Sequence, residues 1–144
     1  MSIKKIIALD VGQKRVGVAA TDDLGYTAQP LTVIDRKPHG LFLERLKSLC
    51  QERGTELLVL GLPTRTNGRL GPEAQKVLSL ASELRNKLNL DIKTFDERLT
   101  TAMAERLFNE AGVNWHKKRD NIDKTAATII LEGYLTSLNA KRTE

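Results

Sequence analysis

Ile6-Ile7-Ala8-Leu9-Asp10-Val11-Gly12-Gln13-Lys14-Arg15-Val16-Gly17-Val18-Ala19-Ala20-Thr21 is the stretch on which the fold turns. Residues 3–10 read as a buried apolar strand that ends in an acid. Val11-Gly12-Gln13-Lys14 turns the chain. Residues 15–21 then read as a second strand, close enough to pair with the first as a hairpin. Asp22-Asp23-Leu24-Gly25 is another turn, and residues 26–35 give a third strand with Leu31 and Val33 on one face. Pro30 cannot donate to a ladder, so this strand belongs at a sheet edge.

The pattern then changes from period two to helical spacing. Residues 40–53 place Phe42, Leu46, Leu49 and Cys50 on one apolar face and end at Gly54, a natural C-cap. Leu57-Leu58-Val59-Leu60 is apolar throughout, as a strand between two helical layers must be. Residues 72–88 are helical, with Pro72 in the first turn and Ala74, Val77, Leu78, Ala81, Leu84 and Leu88 as the apolar stripe. Residues 91–95 form a fifth strand and residues 100–111 a helix stopped by Gly112. A basic loop leads to a last helix, from about Ile122 to Leu138. Three strands joined by short turns predict an antiparallel meander. The β-α-β-α-β remainder adds parallel strands through right-handed crossovers. The fold class is therefore α/β, one domain over residues 1–139 with a frayed tail at 140–144.

The chain of 144 residues suits one core. No apolar run is long enough to cross a bilayer, and Met1-Ser2-Ile3-Lys4-Lys5 lacks the features of a signal peptide. A single cysteine, Cys50, rules out an internal disulfide, and its place on a helix's apolar face gives it a packing role. These features predict a cytoplasmic protein with no membrane partner. The net charge of +5 is compatible with a polyanionic partner without establishing one.

If strands 4 and 5 run parallel to strand 1, their C-terminal ends share one edge. Asp10, Gly61-Leu62-Pro63 and Asp96-Glu97 all lie there, where an open α/β sheet places its site. Asp10 shares a strand face with Ile6 and Ala8. Read alone, it is either a ligand or an Asp that opens a hairpin turn. Glu97 follows the fifth strand and precedes Thr100 and Thr101, which can cap the next helix. Asp96 reads as a local helper. Asp123 lies one turn before Ala126, Ala127 and Ile130 and so shares their inward face. Asp120 is either a fourth ligand or a solvated loop residue. Acids that interrupt core-like segments are costly unless they bind something. Hard oxygens with no His or Cys beside them suit Mg²⁺ or Mn²⁺. Asp10, Glu97 and Asp123 are thus the candidate metal ligands of a phosphodiester-cleaving enzyme.

The basic residues offer phosphate contacts: Lys14, Arg15, Arg65, Arg69, Arg98, Lys117, Lys118 and Arg119. His116-Lys117-Lys118-Arg119 can equally be a solvated loop. No phosphate loop, dinucleotide fingerprint, His-Glu-x-x-His or zinc-type Cys pair occurs. Aromatic residues make up 4% of the chain, too few for a base-stacking platform.

Four ordered motifs carry a resemblance. They are Asp10-x-Gly12-x-Lys14-Arg15-x-Gly17-Val18-Ala19, Gly61-Leu62-Pro63 with Gly71-Pro72-x-Ala74, Asp96-Glu97-Arg98-Leu99-Thr100-Thr101, and Asp123-x-x-Ala126-Ala127. Together they resemble the YqgF (RuvX) family of bacterial RNase H-like nucleases. The resemblance implies an RNase H-like fold with a mixed five-stranded sheet in the order 3-2-1-4-5. It also implies a divalent-metal nuclease, with Asp10, Glu97 and Asp123 as catalytic acids holding one or two Mg²⁺ or Mn²⁺ ions. The family is linked to 5′-end processing of pre-16S ribosomal RNA, and some members are described as Holliday-junction resolvases. The implied partner is therefore a structured RNA precursor, or branched DNA, bound by a monomer or homodimer. The fourth strand ends Leu60-Gly61-Leu62-Pro63 with no acid, so the second carboxylate must reach in from strand 5. Two other classes compete. An actin-like ATPase shares the core but needs two copies of it, and a non-catalytic ribosome-assembly factor would not need the acids.

Overall fold

The computed structural model describes the backbone of residues 5–63, 69–97 and 123–143, and side chains within these ranges except at 123–125 and 139–143. Strands β1 (Ile6–Val11), β2 (Arg15–Thr21) and β3 (Ala28–Asp35) form the meander; α1 (His39–Arg53), β4 (Leu57–Leu62), α2 (Pro72–Lys87), β5 (Asp91–Asp96) and α3 (Asp123–Thr143) follow. The sheet order is β3-β2-β1-β4-β5. β2 lies antiparallel to β1 and β3, whereas β4 is parallel to β1 and β5 to β4. Pro30 sits on the edge strand, as its missing N–H requires, and the register shifts beside it between Val18 and Ala19. The helix expected over residues 100–111 lies outside the described residues.

Two cores flank the sheet because strand side chains alternate between faces. Ile7, Leu9, Leu58 and Leu60 pack with Phe42, Leu46 and Cys50 of α1 and with Val77, Leu80, Ala81 and Leu84 of α2. Ile6, Ala8, Leu57 and Val59 pack on the other side with Ala127, Ile130, Leu131 and Tyr134 of α3. β1 and β4, covered on both sides, are apolar for most of their length. That is the pattern that made residues 57–60 legible as a buried strand.

Two local expectations are corrected. The buried stripe of α2 contains Leu80 where Leu78 was expected, and Leu78 is half-buried. The 3.6-residue period carries the stripe from Val77 to Leu80 and Ala81, while Leu78 falls to its flank. The third strand begins at Ala28 rather than residue 26. The Asp22 carboxylate accepts the backbone N–H groups of Tyr26 at 2.8 Å and Thr27 at 3.2 Å, which holds those residues in the turn. These bonds, with Thr27's the largest influence, lower the Asp22 pKa. The last helix runs to Thr143. Ala140, Lys141 and Arg142 are good helix formers, and the two cations suit a helix C-terminus.

Candidate active site

β1, β4 and β5 end together, and the site begins from their register. Leu9 pairs with Leu60, so Asp10 and Gly61 stand side by side at the next position. Gly61 in turn pairs with Phe95, two residues before Glu97. Asp10 follows Ile6 and Ala8 at two-residue steps, and Gly61 follows Leu57 and Val59. Both positions therefore belong to the face covered by α3. Asp10 and Glu97 are half-buried, and each makes polar contacts.

Gly61 holds the decisive geometry. A Cβ at this position would lie 2.7 Å from Oε1 of Glu97, 3.2 Å from its Cγ, and 2.5 Å from Cδ1 of Ile130. The Glu97 side chain therefore occupies the space above Gly61 that any other residue's side chain would need. The carboxylate starts beyond β5, crosses to β4 and ends next to the strand that carries Asp10. β4 has no acid of its own, but at Gly61 it leaves room for one from its neighbour.

Packing holds this arrangement from above. The Phe95 and Tyr134 rings meet edge to face with centroids 6.0 Å apart, which pins the end of β5 to α3. Ile130 is 3% exposed and closes the space beside the Glu97 carboxylate. Asp123 is the first residue of the same helix. The steps from 123 to 127, 130 and 134 put its position in line with Ala127, Ile130 and Tyr134, all buried against the sheet. Its side chain lies outside the described residues.

Asp10 is followed by a tight turn. The Gly12 N–H donates to the Arg15 carbonyl at 2.9 Å. A Cβ on Gly12 would lie 2.7 Å from that same oxygen, so the turn requires glycine. Lys14 and Arg15 project from the turn and the start of β2 at the acid-bearing edge, and both are exposed. Arg69 is exposed just before α2 and makes polar contacts. The expected contacts Arg65, Arg98, Lys117, Lys118 and Arg119, and Asp120, lie outside the described residues.

Asp10 and Glu97 supply hard oxygen donors with no imidazole or thiolate beside them among the described residues, a set that fits Mg²⁺ or Mn²⁺. Among the described residues no group of three potential ligands is assembled. The third acid expected from the sequence is Asp123. Two residues escaped the sequence reading. Gly61 was placed at the strand-end edge with Leu62 and Pro63 but given no role of its own, and the missing acid on β4 was the signal that something had to pass over it. Arg36 was not singled out at all.

Residues 4–137 match the family described as "RuvX: Holliday junction resolvase". The chain belongs to the RuvX family. A Clostridium botulinum protein named "Putative pre-16S rRNA nuclease" is 44% identical over 135 residues, covering 94% of this chain and 98% of its own length. A Clostridium kluyveri protein of the same name is also 44% identical with the same coverage. Among solved structures, Thermus thermophilus RuvC in complex with a Holliday junction substrate aligns with a TM-score of 0.60 at 11% identity, covering 96% of each chain. A fowlpox virus Holliday junction resolvase aligns with a TM-score of 0.51 at 15% identity, covering 93% of this chain and 99% of its own. These similarities place this RuvX member on the RNase H-like fold, in a family of nucleases. No helix among its described residues is long and apolar enough to cross a membrane.

Proposed function

We propose that this RuvX member is a divalent-metal nuclease of the cytoplasm that matures the 5′ end of pre-16S ribosomal RNA. The observation that carries the reading is the Glu97 carboxylate lying over Gly61, on the strand adjacent to Asp10. A half-buried acid delivered across a neighbouring strand, toward a second acid, is an arrangement that a bound cation explains and core packing does not. Relatives at 44% identity that carry the pre-16S name support the choice of substrate.

Asp10, Glu97 and Asp123 would hold Mg²⁺ or Mn²⁺. When bound, the metal polarises the scissile phosphoryl group and acidifies the attacking water. The water attacks phosphorus in line, the bond to the 3′ oxygen breaks, and the products carry a 5′ phosphate and a 3′ hydroxyl. Lys14, Arg15 and Arg98 orient the phosphate and offset its developing charge. Arg65, Arg69, Lys117, Lys118 and Arg119 hold the flanking backbone. With so few aromatic residues, recognition rests on phosphates and shape rather than on bases.

The family's description favours a second reading, a Holliday-junction resolvase. A resolvase makes paired cuts and needs two sites, hence a symmetric dimer. One experiment separates the two. The purified protein is incubated with Mn²⁺ or Mg²⁺ and either a pre-16S 5′ leader or a four-way DNA junction, and its mass is measured by sedimentation. Cleavage of the leader by wild type, but not by Glu97→Gln, is the expected result. A stable dimer that cuts junctions symmetrically and ignores the RNA would replace the first reading with the second.

A further inference from the structure

Arg36 joins the Asp10 hairpin to a cleft that the reaction above does not use. β3 ends at the acid-bearing edge, where Arg15 pairs with Asp35. Just beyond, the Arg36 N–H donates to the Lys14 carbonyl at 2.9 Å, and its Nη1 donates to the Gly12 carbonyl at 3.2 Å. Both acceptors belong to the turn that follows Asp10. The half-buried Arg36 also lines an open cleft of about 350 Å³ between the start of α1 and α2, shared with His39, Gln75, Lys76, Ser79 and Glu83.

The cleft has a cationic mouth and a neutralised end. Lys76 is exposed on the first turns of α2 and has no ion pair among the described residues. Arg36 spends one of its five N–H donors on Gly12, and a guanidinium fork matches phosphate oxygens. The one acid in the lining, Glu83, lies three turns into α2, and its charge is already met. His39 Nε2 is 2.9 and 3.0 Å from its two oxygens, and Lys87 Nζ is 3.1 Å from Oε2. Gln75 and Ser79 add exposed amide and hydroxyl groups within reach of sugar oxygens.

Asp10 and Glu97 lie on the face covered by α3, whereas this cleft opens on the α1 and α2 side. The Gly12 turn lies between them at the sheet edge. A nucleic-acid strand crossing that edge leaves the acids and meets Arg36 next. We propose that the cleft is a second phosphate subsite, taking the sugar-phosphate backbone of the substrate strand beyond the scissile bond. Arg36 serves both the subsite and the turn that follows Asp10. The inference rests on the nuclease reading.

Lys76 provides the test because it is exposed and holds nothing else together. In a Glu97→Gln background, which binds without cutting, the affinity for a labelled RNA hairpin with a single-stranded leader is measured across salt concentrations. Each phosphate contact contributes a slope of about −0.7 to −0.9 in log K against log salt. Lys76→Gln should flatten that slope by about 1 and leave the melting temperature unchanged. Lys47→Gln, an equal charge change on the exposed side of α1 outside the cleft, should leave the slope as it was. Equal slopes for the parent and both variants would overturn the subsite while leaving the nuclease reading intact. A parent that binds neither this RNA nor a four-way DNA junction would overturn both.

Discussion

Oε1 of Glu97 lies 2.7 Å from where a Cβ on Gly61 would stand, closer than real Cβ contacts allow. The carboxylate that begins past β5 therefore depends on an empty place on β4. The same place is bounded by Cδ1 of Ile130, so a methyl group there would meet two neighbours of different chemistry.

Gly61→Ala should displace Glu97 and weaken Mn²⁺ binding by about 10–100-fold, the usual scale for losing a group that orients metal ligands. Ile130→Val removes the Cδ1 atom, at a cost of about 0.5–1.5 kcal/mol for the lost packing. The Gly61→Ala, Ile130→Val double variant should then match Ile130→Val in thermal stability and still bind Mn²⁺ poorly. Calorimetric titration with Mn²⁺ alongside thermal melts checks this. Normal Mn²⁺ affinity in the double variant would show that Glu97 does not depend on Gly61.

Asp10→Asn, Glu97→Gln and Asp123→Asn should each abolish metal-dependent cleavage with the fold retained, since each removes a charged ligand at nearly constant size. Mn²⁺ should raise the melting temperature of wild type, because it binds the native state preferentially. It should do much less for each variant. Circular dichroism, melting curves with and without Mn²⁺, and leader cleavage decide it. Full activity in two of the three variants would sink the site assignment.

Glu83 predicts a pH effect away from the acids. The hydrogen bond from His39, helped by Lys87, holds its carboxyl below the ordinary value of 4.5. A depressed carboxyl pKa contributes stability that is fully present above that ordinary value. The contribution fades as pH falls through the lower folded-state value. Glu83→Gln should therefore lower the melting temperature slightly at neutral pH, and the difference should shrink as the pH falls below the ordinary carboxyl value. A difference that grows on acidification would contradict the assignment.

Cys50 predicts chemical inertness. Burial in the α1 core pushes its thiol up to about 11, so almost no thiolate exists at neutral pH. A thiol-specific reagent should label the native protein far more slowly than the denatured one, with no loss of cleavage activity. Rapid labelling of the folded protein would show that this face of α1 opens.

The sheet was legible in the sequence because burial on two faces and burial on one leave different patterns. β1 and β4 are apolar for most of their length, and Pro30 could sit only on an edge. Short turns forced the meander, while long helical connections forced parallel strands. Asp10 stood out for the same reason: it interrupts an apolar pattern, and a charge there is conspicuous. The route of the Glu97 carboxylate over Gly61 was not legible, because a glycine in a strand states only that a side chain is missing. What fills the space depends on β5, β4 and α3 meeting at one point. Arg36 was hidden for a related reason. Its two acceptors are backbone carbonyls of the Gly12 turn, and a carbonyl has no residue type by which a sequence can announce it. Local patterning determined which elements form and which faces they bury; convergence of distant segments, set by packing, decided which atoms share a site.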